Sequence, residues 1–143
     1  MAFFDKVPHK KLIRKLRKLK IRGETLKWVK NWLKNRKQRV VVINGVESEY
    51  VDVTSGVPQG SVLGTLLFLI FINDFDDNLK SKISKFADDT KMGGSANSIE
   101  KCNDLQSDLD IACLWSDEND MPFNIEKCRV IHIGKKKLIT TIK

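Results

Sequence analysis

Two adjacent carboxylates, Asp88 and Asp89, interrupt a pair of short segments, 82–86 and 90–92, in which polar and apolar residues alternate. The pattern predicts a β-hairpin whose turn carries residues 87–89. Carboxylates held close together on rigid strands suit two-metal nucleotidyl transfer, in which the ions activate the attacking hydroxyl and steady the leaving pyrophosphate. Taken alone, an Asp-Asp pair in a turn is usually solvated, so a second segment must support the catalytic interpretation.

That second segment is the loop at residues 55–64, with the sequence Ser-Gly-Val-Pro-Gln-Gly-Ser-Val-Leu-Gly. Its first two glycines let backbone approach a substrate, its proline stiffens the turn, and its glutamine offers an amide donor and acceptor. Backbone N–H groups at the start of the following helix can face phosphate. The candidate substrate-binding residues are Gly56, Pro58, Gln59 and Gly60. The structural alternative is an ordinary strand-to-helix connection capped by Ser61.

The charge composition points to polyanionic partners. The 143 residues carry 26 Lys and Arg against 18 Asp and Glu, a net charge of +8, which suits nucleic acid or an acidic membrane surface. Residues 5–39 hold 15 basic and two acidic residues, whereas residues 100–126 hold eight acidic and one basic. The basic face therefore belongs to the N-terminal third. The candidate nucleic-acid-binding residues are Lys10, Lys11, Arg14, Arg36, Lys37 and Arg39.

Length and cysteine usage set the class of protein. A chain of 143 residues is one domain at most and is short for a complete polymerase. Three widely spaced cysteines without a C-x-x-C pair indicate reduced thiols in an intracellular protein, nuclear or cytoplasmic. No secretory signal is present, and the longest apolar stretch, 62–72, is too short to cross a bilayer, so no membrane partner is expected.

The elements that must position these residues follow from periodicity and turn signals. A basic amphipathic helix is predicted from Pro8 to Gly23, which ends it, and a second helix follows. The β-branched segments 39–43 and 47–53 flank Asn44-Gly45, which predicts a hairpin with a two-residue turn of positive φ. Further helices are predicted at 62–76 and 98–119, and a last strand at 128–134.

This order of helices and hairpins predicts an α+β fold in which helices pack on one face of a small antiparallel sheet. Phe86, together with the Val and Ile residues of the other strands, is expected to form the buried side of that sheet.

Together the segments resemble the reverse transcriptases of LINE-type non-LTR retrotransposons, including the jockey-like group. The matching segments stand in the family's order and extend over nearly the whole chain. They are 4–9 (Phe-Asp-Lys-Val-Pro-His), 35–40 (Asn-Arg-Lys-Gln-Arg-Val), 54–64, 71–74 (Phe-Ile-Asn-Asp), 86–90 (Phe-Ala-Asp-Asp-Thr) and 123–128. The resemblance implies an RNA-directed DNA polymerase with a palm-like fold, Mg²⁺ or Mn²⁺ as cofactor, and an RNA template, a DNA primer and deoxynucleoside triphosphates as partners.

The resemblance also implies roles for single residues. Asp88 would be a direct metal ligand and catalytic carboxylate, and Asp89 the second carboxylate of the family's aromatic-x-Asp-Asp motif. Phe4 lies where the family has an aromatic residue that crowds the sugar 2′ position and excludes ribonucleotides. Gln59 and its glycine neighbours would contact nucleotide and template. Lys127 matches a lysine near the triphosphate that protonates the leaving pyrophosphate, although a lysine in such a position is often merely solvated.

Some parts of the family pattern are not matched. The family's other metal-binding aspartate precedes the aromatic at Phe4, and Asp5 corresponds to a later aspartate that is not a ligand. The fingers and most of the thumb are also missing, so residues 1–143 are expected to be a partial reverse transcriptase domain, with the thumb-proximal region starting near 128–143. Phe3, Thr65 and Asn119 replace a small residue, a proline and a tryptophan of the family.

Three functions remain open at this point. The first is a polymerase palm fragment. The second is an inactive remnant that at most binds nucleic acid without sequence preference through its basic helices. The third makes residues 10–22 a membrane-surface helix, which a narrow apolar stripe without aromatics disfavours.

Overall fold

A computed structural model describes residues 3–86 and 89–134. Within these ranges the chain has four α-helices and two antiparallel sheets of two strands each, which confirms the α+β class. The chain divides into two compact units, Met1–Ile72 and Asn73–Lys143.

Three helices form the core of the first unit: α1 (His9–Lys18), α2 (Gly23–Leu33) and α3 (Val62–Phe71). The leucine spacing of α1 gives it one apolar side, and this helix contacts both α2 and α3. The buried apolar side chains of the unit are Val7, Leu12, Leu16, Leu26, Val29, Leu33, Val57, Leu67, Phe68 and Phe71.

Helix α1 ends earlier than the sequence predicted, because Lys20 adopts a left-handed conformation with φ of 63°. The N–H of Ile21 donates to the carbonyl of Leu16, and the N–H of Lys20 donates to the carbonyl of Arg17. This is the hydrogen-bond pattern of a Schellman motif. The prediction that Gly23 ends the helix is therefore wrong, since Gly23 is the first residue of α2.

The segment after α2 folds back as a hairpin, as predicted, but regular pairing is limited to its base. There β1 (Lys37–Gln38) runs antiparallel to β2 (Val51–Asp52). Nearer the turn, a single bridge joins Val41 to Glu47. The β-branched run predicted as a strand therefore lies beyond the paired strands, and its side chains are exposed.

The turn of this hairpin also differs from the predicted two-residue type. Gly45 has a φ of 76°, whereas Asn44 does not have a positive φ. The N–H of Gly45 donates to the carbonyl of Val42, and the N–H of Val42 donates to the carbonyl of Val46. This pattern fits a three-residue loop in which a left-handed glycine supplies a bulge, so Gly45 alone has the predicted conformation.

The second unit consists of a hairpin and a long helix. Strand β3 (Lys82–Phe86) pairs antiparallel with β4 (Asp89–Gly93), which confirms the second predicted hairpin. Helix α4 (Ile99–Glu118) begins after the N-cap Ser98 and ends at Asn119, as predicted. A short 3-10 helix follows at Ile125–Lys127.

Aromatic side chains connect α4 to the segment before β3. The ring of Phe75 meets Trp115 edge-on with centroids 5.1 Å apart, and its centroid lies 6.2 Å from that of Phe123. The indole N–H of Trp115 donates to Asp74 at 3.0 Å. These contacts hold the turns that follow α3 against α4. Since α3 ends at Phe71, the predicted extension of this helix to residue 76 is wrong.

Three predictions about the sheet are not met. The described residues form two separate hairpins where one sheet was expected, residues 128–134 contain no strand, and Phe86 is 81% exposed. The physical reason is shared: alternating apolar residues become buried only where another layer covers them.

Within the described ranges, no helix is both long and apolar enough to span a bilayer.

Candidate active site

The loop that contains the predicted nucleotide-binding residues lies against the segment formed by residues 3–9. The hydrogen bonds that join them are Gly56 N–H to the Val7 carbonyl (2.8 Å), Val57 N–H to the Phe4 carbonyl (2.8 Å), the Ser55 hydroxyl to the Asp5 carbonyl (2.9 Å) and His9 Nε2 to the Gly56 carbonyl (2.8 Å). The partners of the two side-chain bonds are 47 and 50 positions apart. The loop conformation is therefore set by residues from the start of the chain.

Gly56 is required by this close approach. Its φ is 85°, and a Cβ atom placed on it would lie 2.7 Å from the Cα and the carbonyl oxygen of Asp5. Because both atoms belong to the backbone, they cannot move aside as a flexible side chain would. The sequence predicted that Gly56 lets backbone approach a substrate; in this structure the backbone it approaches is that of residue 5.

Phe4 lies in a 3-10 helix, Phe3–Lys6, directly beside this loop. Its ring stacks on that of Phe68 with centroids 4.3 Å apart and an interplanar angle of 22°. Phe68 is buried in α3. Phe4, the aromatic residue predicted to exclude ribonucleotides, thus has two contacts that fix its position. Its ring stacks on Phe68, and its backbone carbonyl accepts a hydrogen bond from the N–H of Val57.

The other end of the loop is fixed to the start of α3. The Ser61 side chain accepts from the N–H of Gly64 at 3.0 Å, and its hydroxyl donates to the carbonyl of Pro58 at 2.9 Å. A Cβ on Gly64 would lie 2.1 Å from that carbonyl oxygen. Ser61 is therefore an N-cap, as the structural alternative for this loop expected, and Gly64 is needed because Pro58 packs on the first turn of α3.

Of the four candidate substrate-contacting residues, Gly56 is buried and Pro58 is half-buried, so only the middle of the loop is accessible. Gln59 and Gly60 are exposed. Gly60 has a φ of 82°, and a Cβ added to it would meet no atom within 4 Å, so its backbone faces open space. The arrangement leaves an amide side chain and accessible backbone at the middle of an otherwise immobilised loop.

The carboxylate pair belongs to the second unit. Asp88 lies outside the described residues, as does Ala87. Asp89 is exposed and is the first residue of β4, where it is the register partner of Phe86. The prediction that Asp89 lies within the turn is therefore wrong, because it already pairs with β3.

An ion pair connects this hairpin to the segment that precedes it. Lys85 Nζ lies 2.5 Å from Asp76 Oδ1, with the two side chains 25% and 37% exposed. The hydrogen bond from Lys85 lowers the pKa of Asp76 below its usual value of 3.8. Nothing local to Asp76 in the sequence indicates this partner nine residues away.

The basic candidates divide into two groups. On α1, Lys10 and Arg14 are both exposed. On the first hairpin, Lys37 pairs with Asp52 at 3.9 Å. Arg39 forms an ion pair with Glu47 and also covers the ring of Tyr50, 4.9 Å from its centroid. Lys37 and Arg39 thus have acidic partners, and the role of the basic candidates in binding nucleic acid stays a prediction.

The other two basic candidates, Lys11 and Arg36, are half-buried. The guanidinium carbon of Arg36 lies 5.9 Å from the ring centroid of Trp32, and its Nη1 atom is buried without a hydrogen-bond partner. Arg36 also lines an open pocket of about 340 Å³ with Asn35, Lys37, Asp52 and Val53.

Lys127 is exposed at the end of the last 3-10 helix. This position fits both leaving-group protonation and simple solvation. Over residues 3–86 and 89–134, there is no group of three or more His, Cys, Asp or Glu side chains arranged to hold a metal ion.

The sequence analysis missed Lys15, which it counted with the 15 basic residues of positions 5–39 without distinguishing it from the others. Lys15 is 7% exposed, and its Nζ donates to the carbonyl of Phe71 at 2.7 Å and lies 4.4 Å from the centroid of that ring. It therefore joins α1 to the C-terminus of α3. The signal that was available is its position between Leu12 and Leu16 on the apolar side of the helix.

Comparison with known proteins gives consistent matches. The sequence profile of a family described as "Reverse transcriptase (RNA-dependent DNA polymerase)" matches residues 1–140. The chain is 33% identical over 134 residues to the RNA-directed DNA polymerase from mobile element jockey of Drosophila melanogaster. It is 34% identical over 121 residues to the probable RNA-directed DNA polymerase from transposon BS of the same species. These alignments cover 87% and 78% of this chain but only 14% and 13% of the relatives.

Proposed function

Because the chain belongs to the reverse transcriptase (RNA-dependent DNA polymerase) family, we propose that it forms the palm-like part of an enzyme that copies an RNA template by extending a DNA primer. The similarity to the jockey and BS polymerases confirms the resemblance to jockey-like non-LTR elements that the sequence indicated. The chain spans about one seventh of those relatives, 14% and 13% of their length. Residues 128–143 are proposed as the start of the thumb-proximal region, and the enzyme is proposed to act inside the cell, in nucleus or cytoplasm.

One observation carries this proposal: the loop around Gln59 is immobilised at both ends and accessible in the middle. Hydrogen bonds to residues 4–9 hold its first half, and the Ser61 cap holds its second half. A loop fixed in this way can present an amide and backbone groups to an incoming nucleotide without an entropy cost at each turnover. An ordinary strand-to-helix connection would need neither the Gly56 contact nor the bond from His9.

Phe4 would set the choice of sugar in this arrangement. Its ring packs on Phe68, which limits its movement. A ribose 2′-hydroxyl at the opposite face of the ring would therefore clash with it. Lys127 is proposed to give a proton to the leaving pyrophosphate.

The carboxylate pair suits Mg²⁺ or Mn²⁺ in its chemistry. These hard cations bind a few carboxylate oxygens together with water and substrate phosphates. Asp89 has an exposed carboxylate at the start of β4. When bound, the ions would stabilise the charge that develops during nucleotidyl transfer. We assign the direct metal contacts to Asp88 and Asp89.

The test uses a longer protein that carries this chain together with the upstream segment of the family pattern. We expect Asp88→Asn to reduce DNA synthesis on an RNA template by about 10²–10³-fold, the usual cost of removing one preorganised catalytic group. Asp77→Asn is the matched control, because Asp77 is an exposed carboxylate outside the proposed site. Synthesis by Asp88→Asn at the control's rate would show that the catalytic assignment is wrong.

A second candidate function is binding of nucleic acid by this chain without catalysis. It is favoured by the basic side chains at the surface of α1, which include Lys10, Arg14, Arg17 and Lys18. Contacts to phosphate weaken steeply with salt. We expect the affinity for single-stranded RNA, measured by fluorescence anisotropy, to fall as salt rises and to fall further in the Lys10→Glu, Arg14→Glu double variant. Affinity that is independent of salt would rule this candidate out.

A further inference from the structure

We propose that Asp108 is a positioning residue that fixes the base of the β3–β4 hairpin, and with it the place from which the carboxylate pair can bind a metal ion. This inference rests on the proposed function for its link to metal binding. Asp108 itself lies in the middle of α4 and has no assigned part in the chemistry.

The hairpin needs such an anchor because little apolar packing holds it. In β3 and in β4, every described side chain is exposed or half-buried, and none is buried. A two-stranded hairpin without a buried face is marginally stable in water. Its position must then depend on a small number of specific polar contacts.

Asp108 makes the most buried of these contacts. Its side chain is 2% exposed, and its two carboxylate oxygens accept from consecutive backbone N–H groups, Oδ1 from Lys80 at 3.2 Å and Oδ2 from Ser81 at 2.7 Å. Ser81 is the residue directly before β3. The carboxylate therefore fixes the direction in which the chain enters the hairpin.

Apolar packing also holds the base of the hairpin, near Ser81 and Gly94, against α4. A Cβ added to Gly94, just after β4, would lie 3.5 Å from Leu105 Cδ1 and 3.8 Å from the Ser81 hydroxyl. The base of the hairpin thus lies on the part of α4 that carries Leu105 and Asp108. Farther along β3, Lys85 provides a second contact through its ion pair with Asp76.

The charge state of Asp108 agrees with this role. Burial by itself would raise the pKa of its carboxyl, but the hydrogen bonds from Ser81 and Lys80 outweigh burial, so its pKa lies below the usual 3.8. The acceptor at neutral pH is therefore the carboxylate, whose two oxygens can serve two donors. An asparagine at this position would offer one oxygen and turn an NH₂ group towards the second backbone N–H.

The experiment compares Asp108→Asn with Asp104→Asn in the full 143-residue chain. Asp104 is exposed and lies one turn earlier on α4, so its variant removes a charge from the same helix without touching the hairpin. Hydrogen exchange of the β3 and β4 amides reports how often the backbone hydrogen bonds of the hairpin open. Paramagnetic broadening of the same amides by Mn²⁺ reports metal binding, and the circular dichroism spectrum verifies that α4 remains folded.

We expect Asp108→Asn to speed exchange at β3 and β4 and to weaken Mn²⁺ binding by less than the factor of about 10–100 seen when a hydrogen-bond partner of a metal ligand is lost, because Asp108 holds the base of the hairpin and does not contact the carboxylate pair. We expect Asp104→Asn to change neither. If a folded Asp108→Asn protein keeps wild-type exchange at the hairpin, the inference is overturned. If exchange speeds up while Mn²⁺ affinity is unchanged, Asp108 stabilises the hairpin without positioning a metal site, which also overturns it.

Two further outcomes are separable. If the wild-type chain shows no Mn²⁺ broadening at the hairpin, the carboxylate pair does not bind a metal ion without the family's upstream aspartate. This overturns the link between Asp108 and metal binding in this chain, and the exchange comparison still decides whether Asp108 holds the hairpin. If Asp108→Asn does not fold, Asp108→Glu replaces it. That variant keeps the charge but displaces the carboxylate by one methylene, and we expect a smaller change in the same two measurements; wild-type values would overturn the inference.

Discussion

At the scale of single residues, the two glycines of the loop show how similar backbone angles can have different causes. Gly56 and Gly60 have φ values of 85° and 82°. Gly56 is enclosed by the backbone of Asp5, whereas Gly60 faces open space. Gly60 thus needs only the left-handed conformation, and Gly56 also needs the absence of a side chain.

This difference gives a prediction on stability. An alanine in the left-handed region costs about 1–2 kcal/mol, which we expect for Gly60→Ala. Gly56→Ala should cost at least about 1 kcal/mol more, because its Cβ overlaps the Asp5 backbone and must displace it. Urea unfolding of both variants measures the difference. Equal losses would show that residues 5 and 56 do not approach as closely as described.

At the scale of elements, single polar contacts join neighbouring elements within each unit. In the first unit, Lys15 joins α1 to the last turn of α3. In the second, Lys85 and Asp76 join β3 to the turns before it. Each contact links two elements directly, so a single substitution tests the link.

For Lys15 the test is replacement by methionine, which has a similar length and no charge. We expect Lys15→Met to lower the free energy of unfolding by about 1.5–3 kcal/mol, because a charged donor to the C-terminus of α3 is lost. Lys18→Met is the control, since Lys18 is exposed on the same helix. A loss no larger than that of the control would mean that apolar packing alone holds α1 on α3.

For Asp76 the test is pH. Its pKa is lower in the folded chain than the usual 3.8, because Lys85 donates to it. The stabilisation is therefore fully present above the unfolded pKa and is lost as the pH falls through the folded pKa. We expect wild-type protein to lose more stability than Lys85→Met between about pH 6 and about pH 3, measured by urea unfolding. Because both side chains are partly exposed, the difference should be about 1 kcal/mol or less.

At the scale of the whole molecule, exposed apolar surface collects on the first hairpin. Ile43 is 102% exposed, and Val40, Val42 and Val46 are between 54% and 68% exposed. Contiguous apolar surface of this kind favours association. These side chains lie beyond the regularly paired strands β1 and β2.

The corresponding prediction concerns solubility. We expect Ile43→Thr with Val46→Thr to raise the concentration at which the chain scatters light, with little change in the unfolding midpoint, because neither side chain is buried. Thr25→Val, an added exposed apolar residue on α2, is the opposite control and should not improve solubility. If the double variant aggregates as readily as the wild type, the association involves another surface.

Local pattern determined much of this protein. Periodicity and turn residues predicted helices at nearly their observed places and both hairpins, and the resemblance of short motifs indicated the family. These features depend on neighbours a few residues apart, which a sequence displays directly. The turn type around Gly45 was missed because Asn-Gly also occurs in longer hairpin loops, and the end of α1 was missed because lysine is uncommon in the left-handed conformation that Lys20 adopts.

Tertiary structure alone decided which residues lose contact with water. Among many lysines, Lys15 can be buried because its ammonium group donates a hydrogen bond to the carbonyl of Phe71, 56 positions away. Asp108 is buried because two backbone N–H groups 27 and 28 positions earlier converge on it. Phe86 is exposed because no layer covers its side of the hairpin. Burial depends on partners brought together by folding, and the energy of a charged group depends more on those partners than on its own sequence neighbours.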